Sequence, residues 1–438
     1  MPTVGTSTDD KSAGCLLTGP SHRRKVLFLF LVACALRLIV EFVFIDSLGS
    51  DPDAYRRIAK GLYSHSTLGL FDDQASTVVP TAYRPPLFPW LLSGFQGLST
   101  DRYAIAMLHA LLGALTTVLS FDIARRVRLD DRGALVAAVL VLLDPILLRQ
   151  STLVMTETTA TLLGVAIWWL ALVLGSKGLQ SREHSLWTGA ILGIALGVAC
   201  LCRPTAVAWC ILWVAVDLFR NPSRACSLAL GCILILTPWW IRNLSQLGQG
   251  VWTTTHGGYT LLLANNPILY EHWQTSSSRE WDEDRFHAWW AAQKLQKFGS
   301  APPNEIELDR YANALGIQTI RDNPLGFAKA CLIREGWLWA WWPSQRQSSL
   351  NTRIAICIWY ALSTTAALFG LSKLVRSDRK GLSLWTAGLT LAASLCLVHA
   401  IYWSNMRMRA PMIPLVSLLA VSAYKRPENQ TQFEARTQ

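Results

Sequence analysis

Long apolar runs separated by short basic connectors dominate the chain. A bilayer core about 30 Å thick needs about 20 apolar residues in a helix. Runs of roughly that length predict ten membrane spans. They lie at about 26–44, 104–124, 133–149, 158–175, 186–201, 204–219, 225–241, 353–372, 383–401 and 408–424. The pattern therefore predicts an all-α polytopic membrane protein with about ten transmembrane helices.

Two long connectors, at about 45–103 and 242–352, interrupt the apolar pattern. Within the first, the apolar stretch 85–98 is too short to span a bilayer, and we expect it to lie at the membrane interface. The second contains amphipathic patterns and a tryptophan-rich run at 337–342, typical of an interfacial aromatic belt. The expected division is a polar tail at 1–25, a transmembrane module at 26–241 that includes the loop 45–103, a loop at 242–352, C-terminal helices at 353–424 and a tail at 425–438.

The distribution of charge predicts how the chain is oriented. Among 438 residues only 16% are charged, and 40 Lys and Arg against 29 Asp and Glu give a net charge of +11. The whole excess lies in alternate connectors and the two tails: 1–25, 125–132, 176–185, 220–224, 373–382 and 425–438. Lys and Arg near span ends stay cytoplasmic. We therefore expect a cell-membrane (inner-membrane) protein with both termini cytoplasmic, both long loops outside, and no nucleic-acid partner.

Ionisable side chains collect at the predicted outer ends of the spans. Such groups are costly at membrane depth and tend to mark function. They are His109, Asp144, Arg149, Glu157, Arg203, Arg242, His399, Arg407 and Arg409. A single arginine there is equally consistent with a side chain that snorkels to the interface. The common depth of the whole set favours a site at the outer surface.

The first outer loop carries two short polar motifs. Asp51, Pro52, Asp53, Ala54 and Tyr55 follow the first span. Asp51 could cap the next helix, with Pro52 at its first position. Capping does not account for Asp53, and paired carboxylates also suit a general base or a cation site.

The second motif is Arg84 followed by Pro85 and Pro86. A guanidinium fixed beside a rigid turn can bind a phosphate with two hydrogen bonds.

The ten cysteines form no CxxC pair, so the sequence indicates neither a zinc site nor a disulfide framework.

Together, these motifs resemble the membrane glycosyltransferases that use polyprenyl-phosphate sugar donors. This is the GT-C superfamily, and the resemblance is to bacterial relatives of protein O-mannosyltransferases and of the lipid A aminoarabinose transferase. It rests on the ordered set Asp51…Tyr55, Arg84-Pro85-Pro86, Pro238-Trp239-Trp240-Ile241-Arg242-Asn243, Gly258-Tyr259…Asn265-Asn266-Pro267, Arg321-Asp322-Asn323-Pro324 and Arg407-Met408-Arg409-Ala410-Pro411. Family members often have a second acidic residue directly after the first, where this chain has Pro52, so the working carboxylate stays open between Asp51 and Asp53.

The resemblance implies a GT-C-like architecture, a catalytic role for the module 26–241, and inverting sugar transfer to an acceptor hydroxyl on a glycan, lipid or protein. Asp51 is the expected base, with Asp53 as reserve base or as cation ligand. The expected substrate-binding residues are Tyr55, Arg84, Arg242, Arg407 and Arg409. A divalent cation held by Asp51 and Asp53 is compatible with this chemistry, although the sequence has no spaced ligand motif. The main alternative is a multi-pass transporter of a polar or anionic solute.

Overall fold

The computed structural model describes residues 20–98, 100–175, 182–275, 283–343, 349–377 and 381–424. The predicted tail at 425–438, most of the tail at 1–25 and parts of the connectors 176–185 and 373–382 fall outside these ranges. The α-helices are α1 Pro20–Val43, α2 Tyr55–His65, α3 Leu87–Ser93, α4 Asp101–Arg126, α5 Asp131–Leu142, α6 Pro145–Ser151, α7 Glu157–Gly175, α8 Arg182–Cys202, α9 Ala206–Arg220, α10 Pro222–Leu247, α11 Gly257–Ala264, α12 Pro267–Thr275, α13 Glu283–Phe298, α14 Glu305–Asp322, α15 Pro324–Leu338, α16 Leu350–Ser377, α17 Thr386–Ile401 and α18 Ile413–Ser422.

Within the described ranges, seven helical segments are long and apolar enough to cross a membrane. They are His22–Val43, Asp101–Arg126, Glu157–Gly175, Arg182–Cys202, Pro222–Leu247, Leu350–Arg376 and Gly381–Ile401. The predicted all-α polytopic fold is confirmed, but the predicted count of ten spans is not.

Proline and length account for the three remaining predicted spans. The run 133–149 is split because Asp144 caps α6, accepting a hydrogen bond from Leu147 N, and Pro145 begins that helix. The run 204–219 gives only the 15-residue α9, about 22 Å long. In the run 408–424, a 3₁₀ helix at Met406–Met412, which contains Pro411, precedes the ten-residue α18.

The core lies where the long helices pack against one another. Buried apolar side chains of α7, α8, α9, α10 and α17 form one large cluster. Between α8 and α10 the backbones come into direct contact, since a Cβ atom at Gly193 would overlap the carbonyl oxygen of Leu228. Small residues allow such close approach when helices pack in a membrane.

The chain between α1 and α4 forms a compact group of short elements. A 3₁₀ helix at Ile45–Gly49 leads into α2, and an antiparallel hairpin follows, with β1 Gly69–Asp72 paired to β2 Thr77–Pro80. The expected interfacial segment 85–98 contains the seven-residue α3, which begins after Pro86. Tyr55 of α2 and Phe88 of α3 are buried together in one small core.

The second long connector is also helical. It contains α11, α12, α13, α14 and α15, and α14 packs along α11. The carboxylate of Asp309 in α14 accepts a hydrogen bond from Gly258 N, 2.7 Å away, at the start of α11. Arg334 of α15, fully buried, donates to the carbonyl oxygens of Ala264 and Ala400 at 2.6 and 2.7 Å. These bonds fasten the connector helices to the membrane helix α17.

Candidate active site

Asp51 caps the helix that follows it. Its Oδ1 accepts a hydrogen bond from Arg56 N and its Oδ2 one from Arg57 N, both at 3.0 Å. Ala54, immediately before α2, has a left-handed backbone with φ of 61°. This turn brings Asp51 over the first N–H groups of the helix, where a carboxylate is favoured. The capping role considered for Asp51 is therefore present in the structure.

Asp53 instead forms an ion pair with Arg84. Arg84 Nη2 lies 2.6 Å from Asp53 Oδ1, and Arg84 Nε donates to the Asp53 carbonyl oxygen at 3.0 Å. The Arg84 guanidinium carbon also lies 4.4 Å from the ring centre of Tyr83 and 5.4 Å from that of Tyr55. Contacts to a carboxylate, a carbonyl and two aromatic faces fix this guanidinium in place.

Arg242 supports the backbone next to Arg84. Its Nη1 donates to the Thr81 carbonyl oxygen at 2.8 Å, and its Nη2 donates to the Leu68 carbonyl oxygen. On the same stretch, Thr254 Oγ1 donates to the Tyr83 carbonyl oxygen at 2.6 Å. Arg242 therefore joins α10 to the segment before Arg84, and its predicted contact with a phosphate stays a prediction.

Tyr55 lies beneath the Asp53–Arg84 pair. Its ring packs edge-on against Phe88, with 5.1 Å between ring centres. Burial raises the pKa of the Tyr55 phenol to about 12, and the nearby charges of Arg84, Asp53, Glu157 and Arg203 also act on it. The phenol therefore stays protonated at neutral pH, where it can donate a hydrogen bond but does not serve as a base.

A second charged group lies close to Tyr55, at the ends of the membrane helices. Glu157, the first residue of α7, is 2% exposed. Its Oε1 lies 3.1 Å from Nη1 of Arg203, which links α8 to α9, and 3.8 Å from Nε of Arg407 in the last 3₁₀ helix. Among the described residues, Glu157 Oε2 has no hydrogen-bond partner. These three side chains, the Glu157 cluster, carry a formal net charge of +1.

An apolar cavity opens beside the Glu157 cluster. The cavity is small, and Arg203 and Trp209 of α9 are among its lining residues. The remaining lining residues are small or apolar: Ala160, Gly164, Ala199, Thr205, Ala206, Leu391, Leu395 and Pro411. A cation at the edge of an apolar cavity suits a ligand with a charged head and a hydrocarbon tail.

A neutral histidine lies beside Tyr83, next to the Asp53–Arg84 pair. The ring of His256 lies 4.6 Å from that of Tyr83 and 5.0 Å from that of Tyr259, measured between ring centres. Burial, with the positive charge of Arg84, lowers the pKa of His256 to about 3. His256 therefore adds no positive charge beside Arg84 at neutral pH.

Arg409 lies in a different set of contacts. Its Nη1 donates to the carbonyl oxygens of Leu338 and Ala340 at 2.9 and 2.8 Å, and its guanidinium covers the ring of Tyr360. The Tyr360 hydroxyl lies 3.1 Å from both carboxylate oxygens of Asp144. Arg409 is only 1% exposed. These contacts give no support to its predicted phosphate-binding role.

The carboxylates of Asp51 and Asp53 in the first loop are both engaged by other groups of the protein. Asp51 caps α2, and Asp53 pairs with Arg84. Within the described ranges, no group of three or more His, Cys, Asp or Glu residues is arranged to hold a metal ion. A divalent cation held by Asp51 and Asp53, which the sequence left open, therefore stays untested.

Comparisons with known proteins now bear on this arrangement. Residues 70–247 match the family model described as dolichyl-phosphate-mannose-protein mannosyltransferase. The ArnT protein of Cupriavidus metallidurans, solved with undecaprenyl phosphate, is 15% identical, with 90% of this chain and 77% of that chain covered and a TM-score of 0.39. The Archaeoglobus fulgidus oligosaccharyltransferase in its apo form is 14% identical, with 90% and 50% covered and a TM-score of 0.50.

The chain has the GT-C glycosyltransferase fold. The family resemblance predicted from the sequence is thereby confirmed. The chain spans only half the length of the archaeal oligosaccharyltransferase. No curated protein sequence matches it significantly.

No motif in the sequence marks Glu157, Arg203 or His256 as members of this candidate site. A signal did exist for Glu157 and Arg203, because both belong to the ionisable groups that share one predicted depth. The ion pair between them could not be predicted, because Glu157 and Arg203 are 46 positions apart and meet only when α7 packs beside α8. We found no sequence pattern that indicates His256.

The buried Glu157 cluster makes a prediction about stability. Replacing Glu157 by leucine leaves two arginines without their counter-charge, and removing one partner of a buried ion pair costs about 3–5 kcal/mol. We expect Glu157→Leu to lower markedly the unfolding temperature of the purified protein in detergent. Adding Arg203→Leu should restore part of the loss.

The control is Glu271→Leu, which breaks the exposed pair with Arg285 and should change the unfolding temperature little. Losses that simply add in the Glu157→Leu, Arg203→Leu double variant would contradict the buried pairing.

Proposed function

We propose that the protein transfers a sugar from a polyprenyl-phosphate donor to an acceptor hydroxyl at the outer face of the membrane, with inversion at the anomeric carbon. The observation that carries this proposal is that the Asp53–Arg84 pair and the net-positive Glu157 cluster both lie within electrostatic range of the buried Tyr55. The matched family, whose description names a lipid-phosphate sugar donor, supports the same chemistry.

The proposed reaction needs three things from the protein. A base must take the proton of the acceptor hydroxyl, positive charge must stabilise the departing phosphate, and the lipid tail needs an apolar path. The hydroxyl oxygen forms a bond to the anomeric carbon while the bond from that carbon to the phosphate oxygen breaks. The bonding electrons leave with the polyprenyl phosphate, and the carboxylate retains the proton. A single direct displacement inverts the configuration.

We assign Asp53, in preference to Asp51, as the base. Both oxygens of Asp51 accept backbone N–H groups of α2. In the described part of the chain, Arg84 engages Oδ1 of Asp53 and leaves Oδ2 without a hydrogen bond. The Asp53 side chain is 25% exposed, so an acceptor hydroxyl can reach it. Arg84 then holds the carboxylate in position, and Asp51 holds the turn that presents it.

The Glu157 cluster is our candidate for the phosphate. Arg203 and Arg407 are both partly exposed, at 12% and 34% of their side chains, and Glu157 keeps the two guanidinium groups side by side. A polyprenyl phosphate gains negative charge when the sugar leaves it. A preorganised net-positive group therefore stabilises the transition state more than the ground state. The cavity next to Arg203 is small but lined mostly by apolar residues, and we propose that it widens to receive the first part of the lipid chain.

The outer-face assignment rests on the charge distribution. The basic connectors and the two tails together carry the whole net charge of +11. The Asp53–Arg84 pair and the Glu157 cluster lie toward the opposite ends of the helices that these connectors join. Donor and acceptor then meet on the non-cytoplasmic side.

Site-directed variants test which carboxylate is the base. Asp53→Asn should lower the turnover number at least a hundredfold, because a positioned general base contributes roughly 10²–10⁴ in rate. Asp51→Asn should mainly lower the unfolding temperature through the weaker helix cap. The measurement is release of polyprenyl phosphate from a series of polyprenyl-phosphate sugars by the purified protein, with Asp73→Asn as an exposed control in the same loop. Full activity of Asp53→Asn would remove Asp53 from the chemistry, and loss in Asp51→Asn alone would return the role to Asp51.

Cysteine labelling tests the side of the membrane. In a variant free of native cysteines, Asp46→Cys places a thiol at a position whose native side chain is 95% exposed, and Arg132→Cys places one in a basic connector. A membrane-impermeant maleimide should label position 46 in intact cells, and position 132 only after permeabilisation. The opposite pattern would place the site in the cytoplasm and exclude the proposed topology.

A further inference from the structure

Two carboxylates of the connector helix α14 reach the two backbone segments that flank the Asp53–Arg84 pair. Glu305 and Asp309 are four residues apart, so their side chains share one face of the helix. Glu305 contacts the segment that ends in Arg84, and Asp309 contacts the start of α11, just after His256. Neither residue touches the site directly.

Glu305 fixes the three residues that precede Arg84. Its Oε1 accepts a hydrogen bond from Ala82 N at 2.8 Å, and its Oε2 accepts one from Thr81 Oγ1. The same Thr81 oxygen accepts from Tyr83 N at 2.9 Å. Thr81 is buried, and hydrogen bonds to an ionised carboxylate are among the strong ones. Hydrogen bonds therefore connect Glu305 of α14 to each of the three residues before Arg84, directly or through the Thr81 hydroxyl.

The segment is held from the opposite side by a positive group. Arg242 of α10 donates to the carbonyl oxygen of Thr81, so the peptide groups at this position lie between an anionic and a cationic side chain. The charge of Glu305 also acts on the Arg242 guanidinium. The connector helix α14 and the membrane helix α10 thus together fix the position of the backbone at Thr81.

Asp309 fixes the second segment. Its Oδ1 accepts from Gly258 N at 2.7 Å, and α14 approaches so closely there that a Cβ atom at Gly258 would overlap the Asp309 carbonyl oxygen. His256, two residues earlier, stacks edge-on against Tyr83, whose ring lies under the Arg84 guanidinium. One face of α14 therefore contacts both the segment before Arg84 and the start of α11.

We infer that Glu305, assisted by Asp309, is a positioning residue that couples α14 to the Arg84 guanidinium and so to the Asp53 carboxylate. This inference rests on the proposed function. A purely local role in starting α14 is the competing explanation, because Glu305 is the first residue after the Asn304 cap.

Glu305→Gln and Glu307→Gln form a matched pair that separates these explanations. Both replace one carboxylate in the first turn of α14. Among the described residues, the Glu307 carboxylate accepts a hydrogen bond from the capping residue Asn304 alone. We expect Glu305→Gln to lower the turnover number tenfold or more with little change in the KM for the donor, since small misplacements of catalytic groups are costly. Glu307→Gln should keep the wild-type turnover number. Equal turnover in the two variants would overturn the inference.

The coupling to Arg84 is tested by combining variants. If Glu305 acts through Arg84, Glu305→Gln should add little further loss of turnover in an Arg84→Lys background. Losses that multiply in full would show that Glu305 acts by another route.

Thr81 offers a second test should Glu305→Gln fail to fold. Thr81→Ser retains the hydroxyl that donates to Glu305 and should stay active, whereas Thr81→Val should reproduce the lower turnover number. Equal activity of Thr81→Ser and Thr81→Val would contradict the coupling. If the wild-type protein releases no polyprenyl phosphate from any donor tested, the proposed function fails. If it is active and Glu305→Gln is unaffected, only the positioning role fails.

Discussion

The cost of placing charge beside a membrane is the constraint on which this structure depends. Glu157 is nearly fully buried at the end of an apolar helix, and an isolated carboxylate there would be strongly unfavourable. Arg203 and Arg407 compensate that charge and leave one positive charge in excess. Because the Glu157 cluster keeps a net positive charge and is partly desolvated, it is better suited to bind an anion than only to stabilise the fold. The small apolar cavity beside Arg203 is compatible with our proposal that this anion has a hydrocarbon tail.

Each part of the site comes from a different region of the chain, and packing brings the parts together. The first loop supplies Asp53 and Arg84, the membrane helices supply the Glu157 cluster, and the second connector supplies His256 and the carboxylates of α14. Arg242 and Glu305 act on the same few peptide groups from opposite sides. The buried Tyr55 lies within range of the charges of both the Asp53–Arg84 pair and the Glu157 cluster. The geometry of the site therefore depends on the docking of the connector helices as much as on the membrane bundle.

Much of this arrangement could be predicted from the sequence, because apolar runs and charge bias follow directly from bilayer physics. The prediction of ten spans was not confirmed because Pro145 and Pro411 interrupt apolar runs that hydropathy alone reads as continuous. The Asp51 and Asp53 motif could be recognised but not resolved. The choice between the two depends on the left-handed turn at Ala54 and on a partner 31 residues away. The contacts of Arg242 and Arg409 could not be predicted from the sequence, because the carbonyl oxygens that these arginines contact belong to distant segments of the chain.

The central claim is that the Glu157 cluster receives the phosphate of a polyprenyl carrier, while Asp53, held by Arg84, acts as the base. A structure of the full chain in lipid nanodiscs, determined by cryo-electron microscopy with added undecaprenyl phosphate, tests it most directly. The account predicts headgroup density in contact with Arg203 or Arg407, on the side of Tyr55 that faces Arg84, and a lipid tail that passes Trp209. Headgroup density among the basic connectors at the other membrane surface, with none at Arg203 or Arg407, would contradict it.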